Sequence, residues 1–321
     1  MIYADAKTTE IDVIPVIDIA PLYDGGTPES EQRVAQEIIA ASEHIGFFYI
    51  KNHRIPDLLT QRLFQASKDF FFSAPEIKQS VAVTEKQRGY IEPMTGVMEG
   101  GKLPDLRETF LWGREFPASV LEELSDVPLI GANQWPVEVS TMRPVFSEYL
   151  ENCIAVGRRI LDAIATGLGV EKGLFTRSFT RTISRGSSLF YPPQSEDLGP
   201  EQFGIGDHVD WGVLTLLNQD AVGGLQVCSR ENQWITAPPI PGTLIVNVGN
   251  CLERWTNKRL LSNRHRVVNS QGVERQSVAV FVDPDFDTPL NPILAKGESR
   301  KFEPTTCGQQ VMESFAAAYK R

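Results

Sequence analysis

Two histidines and one aspartate are the first residues of the chain whose types and spacing predict chemistry. His208 and Asp210 are two positions apart, and such residues point to the same face of a β-strand. His265 follows Asp210 after 55 positions, and from a second strand it could complete a set of two imidazoles and one carboxylate. That set is the facial triad that suits Fe(II), whereas zinc is the chemical alternative. An exposed His–Asp pair beside a turn and a core histidine are the structural alternatives.

A second pair of candidate residues lies ten positions after His265. Arg275 and Ser277 alternate along the last predicted strand, so both side chains share one face. A guanidinium binds a carboxylate through two parallel hydrogen bonds, and a hydroxyl adds a third. The tripeptide alone is uninformative, because Arg185-Gly186-Ser187 repeats it. Its position after His265 is what makes it a candidate site for a carboxylic acid.

The composition restricts the class of protein. The chain has 321 residues, with 31 basic and 41 acidic side chains and a net charge of −10. This balance argues against a general nucleic-acid binder, which needs a basic surface. No apolar run approaches the length of a membrane span, the N-terminus does not resemble a signal peptide, and the four cysteines form no CxxC motif. We therefore expect a cytoplasmic protein that binds neither nucleic acid nor membranes, as a monomer or weak dimer.

The secondary structure predicted to position these residues changes from mainly helical to mainly β along the chain. The first half predicts a strand over 13–19, another over 47–50 and helices, of which the longest spans Met142 to Leu168. After about residue 180, short strands alternate with turn residues, as in an antiparallel sandwich or barrel. The predicted strands are Ser187–Tyr191, Val213–Asn218, Gly224–Cys228, Gln233–Ala237, Thr243–Val248, His265–Val268 and Ser277–Val282. A helix over Gly308–Lys320 closes the chain.

No linker-like segment divides the sequence, so we expect residues 1–321 to form a single structural unit. Within it, 1–180 is a helical region whose strands join the core, 181–285 is the β-core, and 286–321 is a closing helical region. The loop 92–104 contains three glycines and two prolines and is interpreted as a surface or lid segment.

The ordered set His208-x-Asp210, His265 and Arg275-x-Ser277 resembles the isopenicillin N synthase-like family of Fe(II)- and 2-oxoglutarate-dependent oxygenases. Other segments resemble the family in the same order, and the resemblance covers about residues 13–285. They are Ile14–Ile19, Gly46–His53, Phe70–Pro75, Arg88–Tyr90, Phe190–Pro193, Asp210–Thr215, Gly223–Val227, Gly242–Gly249 and Val278–Pro284.

The resemblance implies an α+β, mainly β fold, a double-stranded β-helix (distorted jelly roll) flanked by N-terminal helices and a C-terminal helix. By position, His208, Asp210 and His265 bind Fe(II). Arg275 and Ser277 bind the distal carboxylate of 2-oxoglutarate, and Tyr191 donates a further hydrogen bond to it. With O₂, such an enzyme converts 2-oxoglutarate to succinate and CO₂ and oxidises a small molecule by hydroxylation, desaturation or ring chemistry.

Four residues are candidates for the substrate pocket. Phe281 shares its strand face with Ser277, and Trp211 follows Asp210 directly, although it could also pack behind the strand. Arg88 and Tyr90 belong to a loop that contacts substrate in the family, and a solvated loop is the alternative. An Arg88 that faces the iron would favour a substrate with a carboxylate.

Two other functions stay open from the sequence. In some relatives the Arg and Ser pair holds the substrate's own carboxylate, so the chain could be an Fe(II) oxidase that does not use 2-oxoglutarate. It could also be a metal-binding sensor or scaffold without turnover, which the intact set of five residues disfavours.

Overall fold

A computed structural model describes residues 14–95, 103–194, 202–269 and 272–318. The expected fold class is confirmed, because two sheets form a mainly β core with helices around it. The strands are β1 Val16–Asp18, β2 Phe47–Lys51, β3 Gly89–Ile91, β4 Glu108–Gly113, β5 Arg185–Tyr191, β6 Ile205–His208, β7 Leu214–Gln219, β8 Leu225–Cys228, β9 Trp234–Thr236, β10 Thr243–Val248, β11 His265–Val267 and β12 Arg275–Val282. The large sheet has the order β1-β2-β10-β7-β12-β5-β4-β3, and the small sheet has the order β6-β11-β8-β9.

The helices confirm most of the sequence predictions. They are α1 Pro28–His44, α2 Asp57–Phe71, α3 Pro75–Ser80, α4 Ala118–Glu123, α5 Met142–Leu168, α6 Asn250–Trp255 and α7 Cys307–Ala318. The predicted bounds of α5 are met, and Gly169 ends that helix in the left-handed conformation. Thr27 caps α1, and Ser30 completes a reciprocal capping box with it.

Side chains on the two faces of the large sheet enter different cores. Val278, Val280 and Val282 of β12 pack with the inner face of α5 in the larger apolar cluster. Ala279, between them in sequence, packs with residues of the small sheet such as Val267. This alternation is the period-two pattern of a strand that is buried on both faces. The N-terminal helices therefore cover one face of the large sheet, and the small sheet covers the other.

One part of the sequence argument is corrected by the structure. Strand β6 ends at His208, so Asp210 lies beyond the strand rather than two positions along it. The two side chains nevertheless converge, with Nε2 of His208 3.8 Å from Oδ1 of Asp210. The sequence also missed β6 itself and the short helix α6.

The predicted closing helix is present as α7, which begins one residue earlier than expected. The end of that prediction, residues 319–320, and most of the predicted lid loop, residues 96–102, lie outside the described residues. Among the helices that the structure describes, none has the length and apolarity that a membrane crossing requires.

A close approach of α5 to β12 makes Gly157 sensitive to substitution. A Cβ atom at Gly157 would lie 2.7 Å from Cγ1 of Val282, whose side chain is fully buried. Gly157→Val should lower the free energy of unfolding by about 1–3 kcal/mol through overpacking. Ala155→Val is the control, because it introduces the same residue at an exposed position of the same helix. Urea titration of both variants measures the difference, and equal stabilities would contradict the packing described here.

Candidate active site

His208, Asp210 and His265 lie together between the two sheets. Their ligand atoms are all within 4.8 Å of one another. The Nε2 atoms of His208 and His265 are each 3.8 Å from Oδ1 of Asp210. Strand pairing produces part of this arrangement, because His265 of β11 is the register partner of His208 of β6. The three residues that the sequence selected are therefore brought to one point.

Hydrogen bonds orient each of the three side chains toward that point. Nδ1 of His208 is 2.8 Å from the carbonyl oxygen of Gly206, and Nδ1 of His265 is 3.2 Å from that of Asn263. A carbonyl can only accept, so each Nδ1 carries a proton and Nε2 is the ring nitrogen left to face the centre.

The carboxylate of Asp210 is fixed through one of its two oxygens. The Thr215 hydroxyl donates to Oδ2 at 2.5 Å, and the Asn247 side-chain amide donates to the same oxygen at 2.7 Å. The other oxygen, Oδ1, is the one that faces the two imidazoles. The carboxylate thus offers a single oriented ligand atom.

Electrostatics favour the metal-binding protonation states of His208 and Asp210. Burial, together with the neighbouring His265, lowers the pKa of His208 to about 3, so its imidazole is neutral. Burial opposes ionisation of Asp210, but His265 and His208 and the donors Asn247 and Thr215 hold its pKa below the usual value. Two imidazoles and one carboxylate with a single free oxygen are the donors of a facial Fe(II) site, so these residues fit the metal.

Arg275, Ser277 and Tyr191 lie together further along the same cavity. Arg275 is fully buried and is the register partner of Tyr191, whose ring centre is 4.6 Å from its guanidinium carbon. The guanidinium donates to the carbonyl of Gly223, to the Ser277 hydroxyl at 3.1 Å and to the Gln219 side chain at 3.3 Å.

Arg275 and Tyr191 are buried polar groups that lack some of the interaction partners expected inside a protein. Among the described residues, no carboxylate is paired with Arg275, and the buried hydroxyl of Tyr191 has no hydrogen-bond partner. A buried cation and an unsatisfied hydroxyl are costly unless a ligand meets them. The arrangement therefore fits a small carboxylate at this place.

One cavity of about 1090 Å³, measured out to its open mouth, contains both groups. Trp211 and Phe281, two of the candidates for the substrate pocket, line it. The ring of Trp211 lies edge-on to Phe315 of α7, with ring centres 5.0 Å apart. The guanidinium of Arg185 lies 4.7 Å above the ring of Phe281.

The prediction that Arg88 and Tyr90 line this cavity is wrong. The Arg88 side chain is buried away from it and donates to the carbonyls of Lys86, Gln87 and Leu129. Its guanidinium therefore satisfies a loop backbone and does not face the metal site. The hydroxyl of Tyr90 donates to Glu108 at 2.5 Å, and its ring lines an adjoining groove instead.

Sequence reasoning missed four residues that bear on the site. Thr215 and Asn247 hold Asp210, while Arg107 and Arg185 line the cavity. Arg185 could have been found from the sequence, because alternation along one strand places it on the same face as Tyr191. The predicted strand began two residues too late, at Ser187, and so left Arg185 out. Nothing in the sequence marked Thr215 or Asn247, since their contact with Asp210 depends on strand pairing across the sheet.

Comparisons with known proteins agree with this geometry. The sequence model of a non-haem dioxygenase N-terminal region, described for morphine synthesis, matches residues 14–138, and that of the 2OG-Fe(II) oxygenase superfamily matches residues 178–284. A 2-oxoglutarate-Fe(II) type oxidoreductase of Emericella nidulans, hxnY, is 32% identical over 96% of this chain and 90% of its own length. A homoarginine-6-hydroxylase of Glycine max is 33% identical over 89% of each chain.

Solved structures give the same result. A full-length protein of Neurospora crassa, solved in complex with alpha-KG, superimposes with a TM-score of 0.85 at 29% identity, over 97% of this chain and 99% of that one. The chain belongs to the 2OG-Fe(II) oxygenase superfamily, and the resemblance to isopenicillin N synthase-like enzymes is confirmed. It is an oxidoreductase that uses Fe(II), 2-oxoglutarate and O₂ and acts on a small molecule.

Proposed function

We propose that His208, Asp210 and His265 hold the catalytic iron. The observation that carries this proposal is the convergence of their three ligand atoms within 4.8 Å, each oriented by a hydrogen bond from its far side. Three protein ligands on one face leave the remaining positions for 2-oxoglutarate and O₂. Iron bound there would supply the oxidising chemistry of the reaction.

The second part of the proposal is that Arg275, Ser277 and Tyr191 bind the distal carboxylate of 2-oxoglutarate. Arg275 supplies the positive charge, and the Ser277 hydroxyl, 3.1 Å from its Nη1, lies beside it. The free hydroxyl of Tyr191 faces the same space. Anchoring one end of the acid here directs its keto-acid end toward the triad.

The walls of the cavity support the chemistry without taking part in it. Between the two polar groups they are largely apolar, with Leu189, Leu225, Val267 and Ala279 among the lining residues. Such walls exclude water from the reacting atoms, and they strengthen the charge interactions of the bound acid.

Turnover of 2-oxoglutarate tests the proposed function. Anaerobically purified protein is supplied with Fe(II), 2-oxoglutarate and air, and succinate is measured with and without small-molecule extracts. We expect slow succinate formation that the true substrate accelerates. An Fe(II) oxidase would consume O₂ with a substrate but form no succinate, and a sensor would bind iron and consume no O₂; either result would contradict the proposal.

Asn247 is predicted to act on iron affinity through Asp210. Asn247→Ala removes one of the two donors that fix the carboxylate, so the dissociation constant for Fe(II) should rise by about 10- to 100-fold. Asn218→Ala is the matched control, because its amide contacts Tyr149 rather than the triad. Equilibrium dialysis against Fe(II) under argon measures both. Unchanged affinity in the Asn247 variant would contradict the role given to this hydrogen bond.

We also propose that the chain is a single structural unit, working as a cytoplasmic monomer or weak dimer without nucleic acid or membrane partners. One apolar cluster that extends from Ile17 to Val311 supports the single unit. Four free, buried cysteines agree with a reducing compartment. Size-exclusion chromatography with light scattering should give a mass near 35.7 kDa at micromolar concentration, and a stable larger assembly would contradict this.

A further inference from the structure

The paired strands β5 and β12 run along the cavity from one end to the other, and the two ends carry different side chains. Arg275 pairs with Tyr191 at one end, and Phe281 pairs with Arg185 at the other. The two pairs lie six positions apart along β12, which corresponds to about 20 Å of strand. Thr215, the residue that holds Asp210, is the register partner of Phe281. The end formed by Phe281 and Arg185 is therefore the part of the cavity beside the triad that lies away from Arg275.

Arg185 has hydrogen-bonding capacity that the protein does not use. Its Nη1 is 3.3 Å from Oδ2 of Asp283, and among the described residues its Nε and Nη2 have no hydrogen-bond partner. The side chain is only 6% exposed, and it lines the cavity. A nearly buried guanidinium with unused donors favours a ligand that accepts hydrogen bonds.

The charges on the wall exclude one class of ligand. Among the described lining residues the only carboxylate is Asp210, which belongs to the triad. The other arginine that lines the cavity, Arg107, is already engaged by Asp105 and Thr109. Among these described residues, an ammonium or guanidinium group on a substrate would find cations and no free anion.

Aromatic rings determine the shape of ligand that fits. Phe281 and Trp211 line this end, together with Phe315 of α7. The guanidinium of Arg185 lies 4.7 Å from the Phe281 ring centre, so the two groups are adjacent on the cavity wall. A flat ring gains stacking energy on such surfaces that a puckered ring does not.

We propose that the substrate is a small, flat ring compound with an oxygen acceptor, either a carboxylate or a ring carbonyl. The acceptor binds Nε and Nη2 of Arg185, and the ring packs against Phe281. This inference rests on the proposed function, since it takes the Arg275 end of the cavity to be filled by 2-oxoglutarate.

Calorimetry with four probes tests the proposal on protein loaded with Fe(II) and 2-oxoglutarate under argon. Benzoate carries the carboxylate and uracil the ring carbonyls, so these two arms distinguish the two acceptors. Cyclohexanecarboxylate keeps the acid without the flat ring, and agmatine is a cation without an acceptor. We expect benzoate or uracil to bind, cyclohexanecarboxylate to bind at least about 5-fold more weakly than benzoate, and agmatine not to bind. Tighter binding of agmatine than of both flat probes would overturn the proposal.

Two variants locate the binding in the cavity. Arg185→Lys keeps the positive charge beside Asp283 but loses the planar guanidinium donors. The affinity for benzoate and uracil should therefore fall by about 10- to 100-fold. Arg114→Lys is the control, because Arg114 pairs with Glu151 at the surface. Phe281→Leu should weaken the flat probes by about 5-fold and provides the test if Arg185→Lys does not fold. Unchanged affinity in the folded variants would overturn the proposal.

The loading step separates this inference from the proposed function. If the wild-type protein fails to bind 2-oxoglutarate, the proposed function fails and this inference fails with it. If 2-oxoglutarate binds and neither flat probe does, only the inference is overturned. Arg185→Lys should leave 2-oxoglutarate affinity unchanged, because Arg185 lies at the opposite end of β12 from Arg275.

Discussion

Asp210→Ala is expected to leave the purified protein without iron and to lower succinate formation by at least about 100-fold. The variant removes the one carboxylate ligand and leaves His208 and His265, whose Nε2 atoms have no other anion beside them among the described residues. Two imidazoles alone do not make the facial set that retains Fe(II). The side chains of Thr215 and Asn247 also lose their acceptor.

His44→Ala is the control for the corresponding His208→Ala and His265→Ala variants, because His44 is exposed at the end of α1. Metal analysis after desalting and a succinate assay measure iron content and turnover, and circular dichroism verifies folding. Full iron occupancy and wild-type turnover in Asp210→Ala would show that the triad is not the metal site.

Arg275→Gln is expected to raise the KM for 2-oxoglutarate by about 100-fold, while kcat at saturating co-substrate falls much less. Among the described residues no carboxylate is paired with Arg275, whereas Arg107, which also lines the cavity, is engaged by Asp105. Glutamine has similar polarity and cannot form the two parallel charged hydrogen bonds.

Ser277→Ala is the graded comparison for this variant. It removes a single neutral hydroxyl, so the KM for 2-oxoglutarate should rise by only about 2- to 10-fold. Steady-state kinetics with varied 2-oxoglutarate measure both variants at one substrate concentration. A Ser277 effect larger than the Arg275 effect would contradict the assignment of the distal carboxylate to the guanidinium.

The order of residues along the chain was enough to predict the fold class and the main groups of the site. The spacing of apolar residues defined α5 to the residue, because a long helix with one inner face leaves a clear period. Strands such as β10 were equally clear, since β-branched residues fill them between turn glycines. The ligand set was visible because its types and order are specific, although each pair alone is common.

The parts that the sequence did not predict depend on contacts between distant strands. β6 contains one apolar residue in four, so neither periodicity nor propensity marks it. The contacts of Thr215 and Asn247 with Asp210 depend on strand register, which local sequence does not determine. Arg88 was misplaced because a buried arginine that donates to loop carbonyls has the same sequence appearance as one that faces a substrate.

Anaerobic titration of the iron-loaded protein with 2-oxoglutarate tests the central claim most directly. When the keto acid chelates Fe(II) in the site, a weak visible charge-transfer band develops and saturates at one equivalent. We expect this band in the wild-type protein, its loss in Asp210→Ala, and a shift to higher 2-oxoglutarate concentration in Arg275→Gln. Absence of the band in the wild-type protein, with no succinate formed in air, would contradict the assignment of this cavity to iron and 2-oxoglutarate.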